Sequence, residues 1–517
     1  MSTFILNAEQ MRWADARAMA AGQSGLELMR RAGEAVAQAA LARMPDGGRV
    51  VVVAGGGNNG GDGYVAARML AARGAPVTVA ALRDPDALQG DAAAHARAAR
   101  EAGVKVRDCA DDIGRLEHWL ARAVLVVDAM FGVGVARPLE GFWRAAAEAV
   151  NAAGRPVLAV DIPSGVHADT GEIMGAAVRA DWTLPIAAAK WGHWLGAGRE
   201  LAGELLAVAD IGIPADVIGQ AFEAAPDERH GRPRAARVIG REVVAEALPQ
   251  APRDAHKGDF GHVWVLGGSK GYTGAPRLAA AGAMAGGAGL VSIACPAEVW
   301  PVVAAGSLEA MAHVDEDAPW RDADVIVAGP GWGRARQALL AEALELDAPL
   351  VLDADALNML AADEGLRERL RARDGRGAVT VLTPHPGEAA RLLGTDASAV
   401  QDNRPATALK LAREGRCWAV LKGADTLVAA PDGRLWLCPF GGPRLARGGT
   451  GDVLAGLLAA LIARGTRAGM LPADALARAL PGGVALHARA GETAGWHRAG
   501  QLAGRIAALA DGFDLSK

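Results

Sequence analysis

Short apolar runs recur along the chain between longer Ala-rich stretches. Each run has the length and β-branching of a buried strand, and such strands alternating with helical stretches are typical of a parallel sheet covered by helices. The pattern predicts a first α/β domain over residues 1–221. Its apolar runs are VVVVA from Val50, VTVAAL from Val77, VLVVDAM from Val124, VLAVDIPSG from Val157 and LLAVADIG from Leu205.

A second series of the same kind predicts another α/β domain over residues 237–517, closed by a long helix from Asp452. Segment 222–236 between the two is charged, contains proline and lacks periodicity, which indicates a linker. The two series share no repeated motif, so we expect two unlike domains. The second series contains VWVLGG from Val263, LVSIAC from Leu290, DVIVAGPGWG from Asp324, PLVLDADALN from Pro349, VTVLTPHPGE from Val379 and CWAVLKGADTLVAA from Cys417.

Length and composition agree with two globular domains. The chain has 517 residues, of which 51% are hydrophobic and 4% aromatic, and one core rarely organises so many residues. Segment 278–297 is uncharged and as long as a membrane span, but its four glycines and one proline predict a small-residue helix followed by a strand from Leu290. We therefore expect no membrane association.

Charge and cysteine usage exclude other classes. The net charge is -5 and no Lys/Arg stripe is interleaved with aromatic residues, so nucleic acid is not an expected partner. The four cysteines are scattered without a C-x-x-C pair, which argues against a zinc site and against disulfides. Glu9 and Arg12 precede any long apolar region, unlike a secretory signal. These features predict a cytoplasmic protein.

Oxygen-bearing side chains follow three strands of the first series. They lie in what we expect to be loops, at Asn58–Asp62, 128–138 and 161–171, where ligands bind in open parallel sheets. Carboxylate, amide and hydroxyl oxygens without His or Cys suit a hard cation, such as a monovalent ion. Each aspartate could instead cap a helix. We expect Asp62 mainly to organise its loop, and Asp161, whose backbone is restricted by Pro163, to do acid/base work.

The second series contains a candidate anion site at Arg447–Asp452, which opens the closing helix. Glycines at a helix amino terminus expose N–H groups to an anion, and the helix dipole favours negative charge there. Asp452 is either a cap or a base that removes a proton from a hydroxyl. Because the chain lacks a G-x-x-x-x-G-K-[ST] loop, this turn is the best candidate for a nucleotide phosphate, with 422–426 as a second cradle.

These motifs resemble those of the bifunctional NAD(P)H-hydrate repair enzymes, in which an epimerase domain is fused to an ADP- or ATP-dependent dehydratase domain. The resemblance spans nearly the whole chain and implies a Rossmann-like first domain and a ribokinase-like second domain. It rests on NNGGDG, DAMFGVG, DIPSG, AAKWGHWLGAG and DIGIP in the first part, and on HKGDFGHVWVLGGSKGYTGA, GPGWG, DADALN, TPHPGEAARLLG, LKGADTLV and GGTGDVLAG in the second.

The resemblance implies that the first domain epimerises the R and S forms of hydrated NADH or NADPH, with Asp161 as the acid/base residue. It also implies a potassium site formed by Asn59, Asp128 and Ser164. The implied contacts to the hydrated dinucleotide are Asn58, Asn59, Gly60, Gly61, Asp62, Gly132, Val133, Gly134, Val135, Ala136, Arg137, Pro138 and Asp161.

For the second domain the resemblance implies dehydration of the S-epimer with ADP and Mg2+. Asp452 would activate the hydroxyl on the hydrated carbon for phosphoryl transfer, and loss of phosphate would restore the dihydronicotinamide with release of AMP. The implied S-epimer contacts are Ala275, Gly331, His385 and Asp452. The implied ADP contacts are Lys422, Gly423, Ala424, Asp425, Thr426 and Gly451. Relatives assemble, so a homo-oligomer is expected.

The sequence departs from the family at 442–447, where many relatives have asparagine and a small hydroxyl residue before the paired glycines. Arg447 there either adds a phosphate contact or crowds the turn. Two alternative functions stay open from the residues alone. The second domain could be a small-molecule kinase whose phosphorylated product is stable, and the first could be a dinucleotide-binding module without catalysis.

Overall fold

The structure is a computed structural model that describes residues 3–45, 47–223, 235–248, 253–333 and 336–512. The chain forms two compact units, Thr3–Ala235 and the part that begins at Ala236. Residues 224–234 of the expected linker lie outside the described residues. The domain limits 1–221 and 237–517 therefore stay predictions.

The first unit contains eight α-helices and nine strands within the described residues. Its helices are α1 (Ala8–Ala20), α2 (Gly25–Leu41), α3 (Asn58–Ala72), α4 (Gly90–Glu101), α5 (Ile113–Leu120), α6 (Gly141–Ala152), α7 (Gly198–Leu201) and α8 (Ala215–Glu223). Its strands are β1 (Thr3–Leu6), β2 (Val50–Ala54), β3 (Val77–Ala81), β4 (Lys105–Asp108), β5 (Leu125–Ala129), β6 (Val157–Val160), β7 (Trp182–Leu184), β8 (Ala189–Lys190) and β9 (Glu204–Leu205).

The main sheet of the first unit is parallel throughout. Its seven strands lie in the order β4-β3-β2-β5-β6-β7-β9, and β1 pairs with β8 in parallel. The chain runs outward from β2 through β3 in one direction and from β5 through β6 in the other. The strand order therefore reverses between β2 and β5, and ligands of open α/β sheets bind in the crevice at such a point.

The second unit contains twelve α-helices and ten strands within the part of the chain described. Its helices are α9 (Arg241–Ala247), α10 (Gly274–Ala285), α11 (Trp300–Ala305), α12 (Gln337–Glu345), α13 (Asp355–Ala362), α14 (Glu364–Gly375), α15 (Pro386–Leu393), α16 (Ala397–Asp402), α17 (Arg404–Gly415), α18 (Thr450–Arg467), α19 (Pro472–Glu492) and α20 (Ala499–Gly512). Its strands are β10 (Ala236–Val238), β11 (His262–Leu266), β12 (Leu290–Cys295), β13 (Met311–Val314), β14 (Val325–Ala328), β15 (Leu350–Leu352), β16 (Thr380–Leu382), β17 (Trp418–Leu421), β18 (Leu427–Ala429) and β19 (Leu435–Leu437).

The sheet of the second unit is mixed. Its strands follow the order β13-β12-β11-β14-β15-β16-β17-β18-β19-β10, and β18 is antiparallel to both of its neighbours whereas the other pairs are parallel. The turns that follow β14, β15, β16 and β17 therefore emerge at one edge of the sheet, which is where ligands of such sheets bind.

Helices α10 and α18 approach closely because glycines face each other's backbone. A Cβ on Gly282 would overlap the carbonyl oxygen of Val453, and a Cβ on Gly456 would overlap the carbonyl oxygen of Ala279. Helix α18 is buried along nearly its whole length. This packing fixes the position of the α18 amino terminus, where the candidate anion site begins.

Three sequence-based expectations about the elements are wrong. The expected loop Asn58–Asp62 is the first turn of α3, since Gly57 serves as its N-cap. The helix at Asp452 does not close the domain, because α19 and α20 follow it. The run from Leu205 forms only the two-residue strand β9.

Other expectations are confirmed, but several short strands were missed, namely β1, β4, β7, β8, β10, β13 and β19. Segment 278–297 forms the end of α10 and strand β12, as expected. Across the described ranges we find no helix with the length and apolarity that crossing a bilayer requires. Strand β4, with sequence KVRD and mostly exposed side chains, lacks the apolar signature of the others because it is an edge strand.

Candidate active sites

Asp128 and Ser164 form a buried hydrogen-bonded pair at the carboxyl ends of β5 and β6. The Ser164 hydroxyl donates to Asp128 Oδ1 at 2.6 Å and its backbone N–H donates to Oδ2 at 2.8 Å. The Ser164 hydroxyl also accepts from the Phe131 N–H at 2.9 Å. Burial raises the pKa of Asp128 to about 6, against these hydrogen bonds, which lower it. The pair joins the loops after β5 and β6.

Asn59 brings the start of α3 to the same place. A Cβ on Gly132 would lie 3.2 Å from Asn59 Oδ1, so only glycine leaves this space open. Asn59 is 8% exposed, and its amide nitrogen has no hydrogen-bond partner among the described residues. A buried amide donor without a partner is costly unless a ligand completes it.

Asp161 follows β6 in a constrained backbone conformation. Its φ of 67° lies in the left-handed region, which aspartate tolerates better than most residues. Its Oδ1 accepts from the Ile186 N–H at 2.9 Å and from the ammonium of Lys190. The Lys190 ammonium also donates to the Ile186 carbonyl oxygen at 2.7 Å. The Asp161 side chain is thus held in place beside the buried Lys190 ammonium.

His193 fixes the backbone of this pair. Its Nδ1 accepts from the Lys190 N–H at 3.1 Å, so Nε2 carries the proton and donates to the Asp161 carbonyl oxygen at 2.7 Å. Burial, with help from the Lys190 charge, lowers the pKa of His193 to about 4. The imidazole is therefore neutral near pH 7 and acts as a rigid bridge between the two residues.

The charge of Asp161 acts on two more carboxyl groups, those of Asp62 and Asp15. Burial, then the charges of Asp161 and Asp15, hold the pKa of Asp62 well above its usual range. Asp15, on α1, has its pKa raised to about 6, chiefly by burial. Within the described chain the Asp62 carboxyl takes part in no hydrogen bond, so it does not organise its turn as expected. Three carboxyl groups thus share the single ammonium of Lys190.

The structure brings most of the first predicted set together. Asn59 meets the glycine loop 132–138 that follows β5, Asp128 meets Ser164, and Asp62 lies near Asp161. Sequence reasoning gave no role to Asp15, Lys190 or His193. Lys190 and His193 stand inside the AAKWGHW motif, but only the fold reveals that this stretch turns back towards Asp161.

In the second unit, Lys422 follows β17 and lies beside two acids, one that follows β15 and one that follows β16. Its ammonium lies 2.7 Å from Asp353 Oδ1 and 3.9 Å from Glu388 Oε2, and the Thr383 hydroxyl donates to the same Asp353 oxygen at 2.8 Å. Burial lowers the pKa of Lys422, but the carboxylates outweigh it and the net shift is upward. The lysine is therefore a fixed positive charge.

The amino terminus of α18 meets this lysine. Gly449 precedes the helix with a φ of 90°, and a Cβ on Gly451 would lie 3.2 Å from the Lys422 ammonium. Burial, followed by the charge of Asp353, raises the pKa of Asp452 to about 7. Backbone N–H groups, a cation and a carboxyl group able to take up a proton near pH 7 thus converge at one point.

His385 is the N-cap of α15 and is tied to Glu388. Its Nδ1 accepts from the Gly387 N–H at 3.0 Å, and its backbone N–H donates to Glu388 at 2.8 Å. Burial, then the charges of Lys422 and Arg391, lower the pKa of His385. Its side chain remains half exposed, and its Nε2 lies 3.3 Å from Glu388 Oε1.

The turn 422–426 connects β17 and β18, as expected. Gly423 has a φ of 139°, and Thr426 donates to its carbonyl oxygen at 3.0 Å. The Arg404 guanidinium holds the entry to the turn by donating to the carbonyl oxygens of Leu421 and Lys422. Gly423 and Ala424 are exposed, so their backbone is open to a ligand.

Ala275 and Gly331 lie against each other beside an open cleft. A Cβ on Gly331, whose φ is 65°, would come within 3.1 Å of the Ala275 Cβ. The neighbouring cleft has a volume of about 840 Å³ and is lined by Tyr272, Gly333, Gln337, Asp355, Asn358, Met359, Ala362 and Arg391. A space of this size accommodates a nucleotide-sized ligand.

The strained Ala354 separates Asp353 from Asp355. Its φ of 52° and ψ of -114° are unusual for a residue with a side chain. Asp353 turns towards Lys422, whereas Asp355 Oδ2 accepts from the Gly333 N–H at 2.8 Å. Asp353 and Glu388 stand inside motifs used for the resemblance but received no role. Strain of this kind is concentrated at functional sites.

Arg447 does not lie over the phosphate turn. Its guanidinium donates to the His497 carbonyl oxygen at 2.5 Å and lies 5.6 Å from the centre of the Trp496 ring. The position where the sequence departs from the family thus anchors the segment before α18 to the segment before α20.

The folds and sites define a two-domain α/β enzyme in which each unit brings several carboxyl groups together near a lysine. The family profile described as NAD(P)H-hydrate dehydratase matches residues 263–506, and the profile described as YjeF-related protein N-terminus matches residues 25–192. The chain belongs to the family of bifunctional NAD(P)H-hydrate repair enzymes.

Relatives from distant bacteria match both units. The bifunctional NAD(P)H-hydrate repair enzyme Nnr of Moorella thermoacetica is 39% identical over 80% of this chain and 78% of its own length. The enzyme of the same name from Coxiella burnetii is 36% identical over 89% of this chain and 90% of its own. That of Escherichia coli is 34% identical over 84% and 80%.

A solved structure resembles the second unit. It is the ADP/ATP-dependent NAD(P)H-hydrate dehydratase of Bacillus subtilis, co-crystallised with ATP and Mg2+, which is 28% identical over 54% of this chain and 98% of its own, with a TM-score of 0.44. The predicted fold class and family are confirmed: a parallel-sheet first domain is fused to a ribokinase-like second domain.

Proposed function

We propose how this chain carries out the two reactions of its family, epimerisation and ADP-dependent dehydration of hydrated NADH or NADPH. The observation that carries the proposal is the convergence at the α18 amino terminus, where Gly451, Lys422 and Asp452 meet. A phosphate, a cation that neutralises it and a base beside it are the requirements of phosphoryl transfer to a hydroxyl. The first unit supplies the S-epimer for this step.

In the first unit, Asp161 is the acid/base residue of epimerisation. Lys190 pairs with its Oδ1 and His193 holds its backbone, so the oxygen that Lys190 does not occupy is free to take a proton. The first turn of α3 and the loop 132–138 contact the dinucleotide, with Asn58, Gly60, Gly61 and Asp62 on one side. Positioning between these loops supplies the orientation that proton transfer needs.

A potassium ion fits the oxygen donors beside this site. Asn59, Asp128 and Ser164 provide an amide, a carboxylate and a hydroxyl oxygen, and the Phe131 carbonyl lies 3.2 Å from the Ser164 hydroxyl. Oxygen ligands without His or Cys suit a hard cation. When bound, the ion would supply positive charge that offsets the buried Asp128 carboxylate and orders the three loops.

In the second unit, Asp452 removes the proton from the hydroxyl on the hydrated carbon of the S-epimer. That oxygen then attacks the terminal phosphorus of ADP, and the bond to the bridging oxygen breaks to release AMP. The new phosphate ester leaves with its C–O bonding electrons, the neighbouring carbon loses a proton, and the dihydronicotinamide double bond is restored. Ala275, Gly331 and His385 orient the S-epimer.

The residues at 422–426 and Gly451 hold the adenine nucleotide. Exposed backbone at Gly423 and Ala424 and the Lys422 charge are suited to the diphosphate, with Asp425 and Thr426 shaping the turn. For Mg2+ the fit of the chain itself is poor. Asp353 and Glu388 are committed to Lys422 and His385, and the described residues contain no group of three His, Cys, Asp or Glu side chains that could hold a metal.

The assay of the proposed function uses hydrated NADH with ADP. Recovery of NADH together with AMP and phosphate is expected. A phosphorylated dinucleotide that persists would favour the small-molecule kinase. Accelerated epimer exchange in the absence of ADP is expected from the first unit, and its absence would favour a binding module.

We also propose the domain limits, the oligomeric state and the location of the protein. The domain limits 1–221 and 237–517 rest on the sequence pattern and on the division of the chain near Ala235. A homo-oligomer is proposed because relatives assemble. A cytoplasmic location is proposed because the four cysteines are all unpaired and buried.

A further inference from the structure

The epimerase site holds more carboxyl groups than cations. Asp161 acts electrostatically on both Asp15 and Asp62, and Lys190, which pairs with Asp161, is the cation that acts on both. Lys190 is already engaged by Asp161 and by the Ile186 carbonyl oxygen. Carboxyl groups that share a buried site cannot all ionise. Burial, with the charges of Asp161 and Asp15, accordingly holds the pKa of Asp62 well above its usual range.

Position distinguishes Asp62 from Asp15. Asp62 lies in the first turn of α3, at the point where the strand order reverses between β2 and β5, whereas Asp15 lies in the middle of α1. Asn59 in the same turn has a buried amide nitrogen without a partner, which indicates that a ligand completes this turn. The Asp62 carboxyl has no hydrogen-bond partner among the described residues and is therefore available to such a ligand.

We propose that Asp62 is a second catalytic residue of epimerisation, which donates its proton to the hydroxyl that leaves the hydrated carbon. The inference rests on the proposed function of the first unit. Asp161 is the opposite member of the pair and accepts a proton from the water that adds to the other face of the ring. Two carboxyl groups held in different protonation states are the usual arrangement for such paired acid/base work.

The step balances without an external reactant. The C–O bond breaks, its electrons leave with the oxygen, and the Asp62 proton completes a water molecule. The lone pair of the ring nitrogen forms a double bond to the same carbon, which gives an iminium cation. Water adds to the opposite face, its proton passes to Asp161, and the iminium electrons return to nitrogen. Proton return from Asp161 to Asp62 through water resets the site, with no change in oxidation state.

The test measures conversion of the pure S-epimer into the R-epimer by the full chain without ADP. For Asp62→Asn we expect kcat to fall about 100-fold or more, the usual worth of a general acid, with KM changed by less than about threefold. Asp62→Glu should recover part of kcat. Asp86→Asn, in which an exposed aspartate of the same unit loses its pairing with Arg100, is the matched control and should match the wild type.

A second measurement needs no variant. In water enriched in oxygen-18, each exchange by the wild-type chain should place the label on the hydrated carbon, because the original C–O bond breaks. Exchange without label would overturn the proposal, since it would show ring opening at the nitrogen instead. Label on the hydrated carbon shows the C–O cleavage that the proposal requires, and Asp62→Glu tests the residue itself if Asp62→Asn does not fold.

The pH profile gives a third readout. Wild-type kcat should fall at high pH because Asp62 loses its proton. The kcat of Asp62→Asn should not show this decrease at high pH. Unchanged kcat in Asp62→Asn, or a raised KM with unchanged kcat, would reduce Asp62 to a binding residue and overturn the proposal. A wild-type chain that does not accelerate exchange at all would instead refute the proposed function of the first unit.

Discussion

The ammonium of Lys190 pairs with the carboxylate of Asp161, with side-chain exposures of 1% and 11%. Two opposite charges at this depth stabilise each other only as long as both are present. Removing one partner of a buried pair leaves an uncompensated charge, which costs about 3–5 kcal/mol. The pair is therefore at once part of the proposed epimerase machinery and a condition for folding of the first unit.

Replacing Lys190 by methionine should destabilise the first unit by about 3–5 kcal/mol and abolish accelerated epimer exchange. Thermal denaturation monitored by calorimetry, together with the exchange assay, measures both effects. Lys105→Met is the matched control, because Lys105 is exposed on the edge strand β4, and it should leave both quantities nearly unchanged. Equal behaviour of the two variants would contradict the importance of the pair.

The dehydration rate should depend on the protonation of Asp452. Because its folded-state pKa is raised to about 7, a base at this position is active above that pH. We expect kcat/KM for the S-epimer to fall about tenfold per pH unit below pH 7. The profile is measured from pH 5 to 9 at saturating ADP. A rate that stays constant down to pH 5 would rule out Asp452 as the base.

The same shift predicts a stability effect of opposite sign. The folded-state pKa of Asp452 exceeds the ordinary value of 3.8 for an aspartate. The shift therefore stabilises the folded state fully below pH 3.8, and this contribution is lost as the pH rises through about 7. Asp452→Asn should therefore unfold at a higher temperature than the wild type at pH 8. The difference in the free energy of unfolding between variant and wild type, on the order of 1–3 kcal/mol at pH 8, should shrink at pH 5. A variant less stable than the wild type at pH 8 would contradict this prediction.

Replacing the strained Ala354 by glycine should lower the dehydration rate without lowering the stability of the second unit. Glycine adopts the positive φ of this position without steric cost, so Ala354→Gly should not destabilise the second unit, even though glycine increases the entropy of the unfolded chain. It should loosen Asp353 relative to Lys422 and lower the dehydration rate about threefold to tenfold. Destabilisation by more than about 2 kcal/mol would show that the conformation is not strained.

Close approach of α10 and α18 should make Gly282 intolerant of a side chain. Gly282→Ala forces a Cβ into the carbonyl of Val453, so we expect a loss of about 1–3 kcal/mol and slower dehydration, since α18 carries Asp452. Gly504→Ala in α20 is the matched control, because a Cβ there meets nothing within 4 Å. It should be neutral or stabilise by about 1 kcal/mol, and chemical denaturation compares the two.

Sequence patterns predicted the sheets because buried parallel strands leave a clear signal. The run at Val50 is apolar at every position, the run at Val124 is apolar except for Asp128, and both form fully buried strands. The edge strand β4 and the helix α19 were missed for physical reasons. An edge strand does not need apolar side chains, and tertiary packing of a helix overrides the local cost of glycine and proline.

The candidate sites were predictable only where a motif supplies its own geometry. The glycine turn before Asp452 and the oxygens at Asp128 and Ser164 follow local rules of helix termini and strand ends. Lys190, 29 residues after Asp161, and Lys422, 69 residues after Asp353, are joined to their partners only by the fold. No local pattern reveals a pair that depends on the order of strands in a sheet.

The most direct test of two linked activities on one chain follows NADH formation from a mixture of both hydrate epimers with ADP. The wild type should convert the whole mixture to NADH with equivalent AMP. Asp161→Asn should convert rapidly only the S fraction, and Asp452→Asn should exchange epimers without forming NADH. Complete conversion at the wild-type rate by Asp161→Asn, or NADH formation by Asp452→Asn, would contradict the division of the two reactions between these residues.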